Sequence, residues 1–202
     1  MWARRVAVAG ALLAIAAAAP AADSAKSELD RFSATTAAMT PRDESLRIDV
    51  REWSDDAGRA AVVAALAGGA ETPKALASLP TLGYVWRSHS SVGYAVKYAH
   101  RMPTATGERV TFVTDKRLGA YDLERWAADA VTPPAALEYS VVELYLNGSG
   151  SGDGTLSLAA EVKVDSAANV VSLDAGPGAA HVLSDAKAVT KPGSRPAVPG
   201  GG

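Results

Sequence analysis

Read for its apolar and polar positions, the chain changes period twice. In LRIDVREW, residues 46–53, Leu46, Ile48 and Val50 alternate with Arg47, Asp49, Arg51 and Trp53, the two-residue period of a half-buried strand. RFSATTAAM, residues 31–39, predicts a weaker strand before it, set off by the turn-like TPRDES. The period then lengthens. In SDDAGRAAVVAALAGG, residues 54–69, Ser54 is placed to cap a helix, Asp55 and Asp56 suit its positive start, and Gly68 and Gly69 supply a stop. TPKALASLP follows, with Thr72 as a cap, Pro73 in the first turn and Pro80 past the end. A two-helix hairpin over about 55–79 therefore interrupts the strands.

Period two then returns. GYVWRS, GYAVKYAHRM and ERVTFVTD predict three strands, joined by SHSSV and by PTATG, whose proline and glycine suit a hairpin connection. YSVVELYL, TLSLAAEVKVD and NVVSLDAG continue the pattern, and HVLSDAKAV adds a last strand. Leu156, Leu158, Ala160, Val162 and Val164 share one face, and Ser157, Glu161 and Lys163 the other, as in antiparallel sheet with one solvated face. Residues 118–137 break the alternation, with YDLERWAADA suited to a helical turn and Pro133-Pro134 closing the excursion. The fold class is α+β and mainly antiparallel β: about eight strands in a curled sheet, small barrel or sandwich, with the helical hairpin inserted.

The glycine-rich NGSGSGDG between two of these strands invites three readings. A phosphate loop ends in Gly-Lys-Ser/Thr and opens a helix, whereas this one ends in Gly154-Thr155 and opens a strand. A calcium loop would draw on Asn147, Ser149, Ser151 and Asp153, a single carboxylate, with Leu158 where a bidentate glutamate belongs. A hairpin connection remains, because glycine tolerates positive φ.

The ends of the chain carry different signals. Residues 1–21 read as a secretory signal peptide: Arg4 and Arg5, an apolar run from Val6 to Ala19, and an A-x-A match at Ala19 to Ala21. The run is shorter than the roughly 20 residues a span requires, so no transmembrane segment is expected after cleavage. The expected organisation is a single globular domain over 22–190 and a Pro/Gly-rich tail, 191–202, expected to be disordered. The chain has no cysteine, so burial alone must hold the domain together in the oxidising compartment, periplasmic or secreted, that the leader implies. Of 20 basic and 22 acidic residues, the leader takes two arginines and no acid, leaving 18 − 22 = −4. That mild balance, without a basic stripe, argues against nucleic acid or an anionic membrane as partner.

Candidate chemistry is sparse. His89, His100 and His181 are the only histidines and show no metal-binding spacing, so neither a metal nor a cofactor is expected. Ser184 to Lys187 match S-x-x-K but lack the S-D-N and K-T-G that accompany it in serine acyl enzymes. Asp49 and Glu52 point to opposite faces of a strand, and Asp122 with Glu124 reads as solvated loop charge. No catalytic set emerges. A ligand surface is the sharper possibility: Trp86, Tyr94, Tyr98 and Phe112 on one face, with Arg87, His100, Arg109, Asp115 and Arg117 near them, suit a planar or acidic ligand. The plainer reading of the same aromatics is a core beneath the helices.

RFSATTAAM, WSDDAGR, LGYVWR, VGYAVKYAHR, GERVTFVTDKRLG and VVSLDAGP occur in an order that resembles a family of uncharacterised exported bacterial proteins, over residues 31–189. The chain has Thr114-Asp115-Lys116-Arg117 where that family often carries a proline-containing turn. The resemblance implies an exported bacterial protein and supplies no activity, cofactor or catalytic residue to carry over. The expectation is a non-catalytic exported binding or envelope-accessory protein, its partner a small ligand or an envelope protein. The alternatives are a hydrolase using His100 with Asp115 or loop acids, and a structural or protein-interaction module.

Overall fold

The computed structural model describes residues 29–36, 44–88, 90–121, 138–157, 162–173 and 181–189. The leader, the tail, His89, Asp122, Glu124 and Leu158 lie outside them. Eight strands close into an antiparallel barrel: β1 (Asp30–Thr36), β2 (Glu44–Val50), β3 (Gly83–Arg87), β4 (Tyr94–Thr104), β5 (Gly107–Thr114), β6 (Val141–Asn147), β7 (Ser151–Ser157) and β10 (His181–Ala188). From β1 to β7 each strand pairs with its successor, and β10 closes the ring between β7 and β1. The helices α1 (Asp56–Leu66) and α2 (Thr72–Ser78) are inserted between β2 and β3; the ribbon of β8 (Val162–Asp165) and β9 (Val170–Leu173) is inserted between β7 and β10.

Alternation selects what goes inside. Phe32, Leu46, Ile48, Val85, Phe112 and Leu144 are fully buried and pack together, consistent with the rule that side chains can fill the lumen of an eight-stranded barrel. Small inward residues on neighbouring strands, Ala34, Gly154 and Ala186, make room for the rings. One end has short hairpin turns at 105–106 and 148–150. There Trp53 covers the interior, its ring 6.2 Å from Phe32 and 6.3 Å from Phe112, with the Arg101 guanidinium 4.2 Å from its centroid. Trp53 Nε1 donates to Asp30 Oδ2 at 2.8 Å, and Asp30 also pairs with Arg101 at 3.4 Å. Trp53 therefore leaves the wet side on which alternation placed it, because β2 ends at Val50 and the chain turns inward.

Strand β4 contains the main departure from simple alternation. The register to β5 slips between Val96 and Tyr98, so Lys97 is an extra residue and the following side chains change face. Tyr94, Val96 and Ala99 belong to the barrel interior, while Lys97 and Tyr98 point outward under the helices. The expected aromatic face is thereby divided: Tyr94 and Phe112 inside, Tyr98 and Trp86 outside. Lys97 Nζ donates to the Leu79 carbonyl at 2.8 Å and to Thr81 Oγ1 at 3.0 Å, anchoring the C-terminal end of α2 to the barrel. Both helices and the ribbon cover this wall through Val62, Val63, Leu76 and Val171, which meet Tyr98, Val113 and Val141.

Local capping differs from the expectation in two places. Asp55, not Ser54, caps α1, accepting from Gly58 N at 2.7 Å. Ser54 instead exchanges hydrogen bonds with Ala99: its N–H donates to the Ala99 carbonyl, and its Oγ accepts from Ala99 N. Those bonds satisfy the β4 backbone beside the bulge, a use that only the folded arrangement creates. Thr72 Oγ1 donates to the Ala65 carbonyl at 2.9 Å, tying α2 back to the end of α1.

The glycine-rich segment is a turn followed by strand. Asn147 Oδ1 accepts from Ser149 N and Ser151 N, and Gly150 has a φ of +77°. Gly152 and Gly154 already belong to β7; a Cβ at Gly152 would overlap the Tyr145 carbonyl oxygen of the paired strand.

Candidate functional site

The structure distributes the sequence candidates over four places. Arg87 and Tyr94 face the barrel interior at the end opposite Trp53, and Asp115 and Arg117 lie in the segment after β5 at that same end. Arg87 makes two hydrogen bonds to Glu44, at 2.6 and 2.8 Å, and both residues are buried. Tyr94 Oη accepts from Gly119 N at 2.9 Å, and its ring stacks on Tyr121 at 5.3 Å. Trp86 stands on the outer wall of β3, with Arg47 over its ring at 5.3 Å and Gly93 close against it. Its Nε1 is buried without a hydrogen-bond partner among the described residues. Tyr98, His100 and Arg109 share the outer wall of β4 and β5.

Around that last group, register builds a polar row. His100 stands opposite Thr111, Thr111 opposite Glu143, and Glu143 opposite Thr155, crossing four strands. The next row toward the hairpin turns is Met102, Arg109, Tyr145 and Asp153. Glu143 is 1% exposed although it points away from the lumen. Burying a carboxylate is costly unless its oxygens find donors. Here Tyr145 Oη donates to Glu143 Oε2 at 2.7 Å, Thr111 Oγ1 donates to Oε1 at 3.3 Å, and Arg109 Nη1 lies 3.9 Å from Oε1.

The titration behaviour follows from this packing. Burial first, then the Glu143 hydrogen bond and charge, push the Tyr145 phenol up to about 12, so it stays protonated and donating at neutral pH. Burial, followed by the Arg59 and Arg109 charges, lowers the His100 pKa from its ordinary 6.5; Asp56 opposes the shift. His100 is thus neutral at pH 7, its ring 5.9 Å from Tyr98 in an edge-on contact. Its ring nitrogens make no hydrogen bond among the described residues, where no group of three His, Asp or Glu side chains is arranged to hold a metal ion. Arg59, from α1, pairs with Asp56 at 2.7 Å, and its Nε is buried without a hydrogen-bond partner among the described residues.

Thr111, Glu143, Tyr145 and Thr155 escaped the sequence reading. Alternation in YSVVELYL already places Glu143 and Tyr145 on the face opposite Val142 and Leu144. Their proximity to His100 and Arg109 depends on strand order, which alternation does not carry. No helix among the described residues is long and apolar enough to cross a membrane. No family model, no curated protein and no solved structure matches the chain.

Proposed function

We propose that the chain is a non-catalytic, exported binding protein, periplasmic or secreted, that takes a small ligand on the outer barrel wall at His100, Arg109 and Tyr145. One observation carries the choice of site: Glu143 is buried on an outward-facing strand position and spends its oxygens on holding Thr111 and Tyr145. Such an arrangement fixes polar side chains in place before a ligand arrives, which reduces the ordering cost of binding. Binding is favoured over hydrolysis by His100, whose imidazole has no acid or hydroxyl hydrogen-bonded to it among the described residues. Export rests on the basic start, apolar run and A-x-A match of residues 1–21.

The test is thermal unfolding of the secreted protein against metals, lipids, glycans and small anions, with Arg109→Ala in parallel. A ligand that binds only the folded form must raise the midpoint by mass action. A rise that Arg109→Ala removes supports the reading. A flat response to every class, or a rise indifferent to Arg109, overturns it. Mass spectrometry of the secreted protein checks export: an intact segment 1–21 would refute cleavage after Ala21.

A further inference from the structure

Tyr145 is 46% exposed, yet its hydroxyl is pinned to a carboxylate that is almost wholly buried, at 2.7 Å. The ring is therefore both accessible and orientationally fixed, the state in which an aromatic surface binds with little loss of side-chain freedom. No other ring and no guanidinium stacks on it among the described residues. On one side, directly across the strand pair, stands Arg109; on the other stands Asp153. Neighbouring strands are about 5 Å apart, so the Arg109–Tyr145–Asp153 row spans about 10 Å, room for one pyranose ring and its hydroxyls.

The charges decide the class of ligand. Asp153 and Glu143 would repel an anion seated on Tyr145, and Arg109, 3.9 Å from Glu143, offsets one of the two carboxylates and so weakens their pull on a cation. Groups that both donate and accept satisfy both flanks at once: a hydroxyl donates to Asp153 and accepts from Arg109. A ligand with one apolar C–H face for the ring and hydroxyls around its edge has that chemistry. We propose that Tyr145, Arg109 and Asp153 form a binding site for a neutral saccharide, one sugar ring stacking on Tyr145 while its hydroxyls bridge Arg109 and Asp153. This rests on the reading of the wall as a binding surface and names its ligand class.

Isothermal titration of the secreted protein with maltotriose, cellotriose and chitotriose tests it, with inorganic phosphate as the charged control. The expected result is binding of at least one saccharide, weakened about tenfold or more by Tyr145→Ala, as for a central aromatic anchor. Tyr145→Phe keeps the ring but frees it from Glu143, so it should bind more weakly than the unaltered protein and more tightly than Tyr145→Ala, while Asp153→Asn should lose part of the affinity. Circular dichroism and the melting temperature of each variant separate lost binding from lost folding. Failure of all three saccharides, or saccharide binding indifferent to Tyr145→Ala, overturns the proposal. Phosphate binding that depends on Arg109, with no saccharide binding, overturns it too but leaves the wall standing as a ligand site.

Discussion

His100 shows how a single side chain takes its chemistry from its neighbours. Burial and the fields of Arg59 and Arg109 disfavour the imidazolium, so the folded chain binds that proton less readily than the unfolded chain, whose histidine titrates near 6.5. By linkage, stability rises with pH wherever the unfolded state holds more protons. The His100 contribution is therefore complete above pH 6.5 and is lost as pH falls from 6.5 through the lowered folded value. Urea unfolding from pH 7.5 to 5 should show a decline that is shallower in His100→Gln; identical pH profiles for the two proteins would contradict the assignment. The sequence shows the histidine and the strand it occupies. It does not show the two arginines, which arrive from α1 and β5. Glu143 is a similar case, since its wet-face position predicts exposure and Tyr145, Thr111 and the packing around them produce the opposite.

At the scale of elements, most strands and both helices were legible because period two and period 3.6 record which face is buried. The sequence pattern expected TLSLAAEVKVD to run as one strand; β7 ends at Ser157 and β8 begins at Val162, with 158–161 outside the described residues. Strand β4 misleads in another way. The apparent set Tyr94, Val96, Tyr98, His100 keeps perfect alternation, but the bulge at Lys97 sends its first two members inward and its last two outward. The bulge has a purpose visible only with α2 docked, since it delivers the Lys97 ammonium to the carbonyl of Leu79. Lys97→Met should strand those acceptors beneath the helices and lower stability by about 1–3 kcal/mol, the cost of an unsatisfied buried group. Urea unfolding at pH 7 checks this, and an unchanged midpoint would show that the ammonium is not needed to dock α2.

For the whole molecule, closure of the barrel is the governing fact. Between β7 and β1, β10 leaves no barrel edge unpaired, and the ion pair of Glu44 and Arg87 sits inside the resulting wall. An enclosed ion pair gains from mutual attraction and loses from desolvation, so removing one partner is far worse than removing both. Arg87→Met should destabilise by about 3–5 kcal/mol through the Glu44 carboxylate left behind, whereas Arg87→Met with Glu44→Leu should recover most of the loss. Guanidinium unfolding of the single and double variants measures the difference; equal losses in both would mean that the pair itself stabilises the barrel. The placement of Arg87 inside also explains why the sequence candidates do not form one site: closure puts Arg87 and Tyr94 on one side of the wall and His100 and Arg109 on the other.

Local pattern was enough to locate most strands and both helices, to predict the burial of most apolar positions, to rule out disulfides and to place a turn within Asn147 to Gly154, although Ser151 to Gly154 belong to β7. Those properties depend on residues near one another along the chain, where periodicity, capping chemistry and glycine act directly. Closure, the change of face in β4, the inward turn of Trp53 and the meeting of His100, Arg109, Glu143 and Tyr145 emerge when the strands pair. Each requires a partner distant along the chain, and the same alternation is compatible with an open sheet, a sandwich or a barrel until strand order and register select the neighbours.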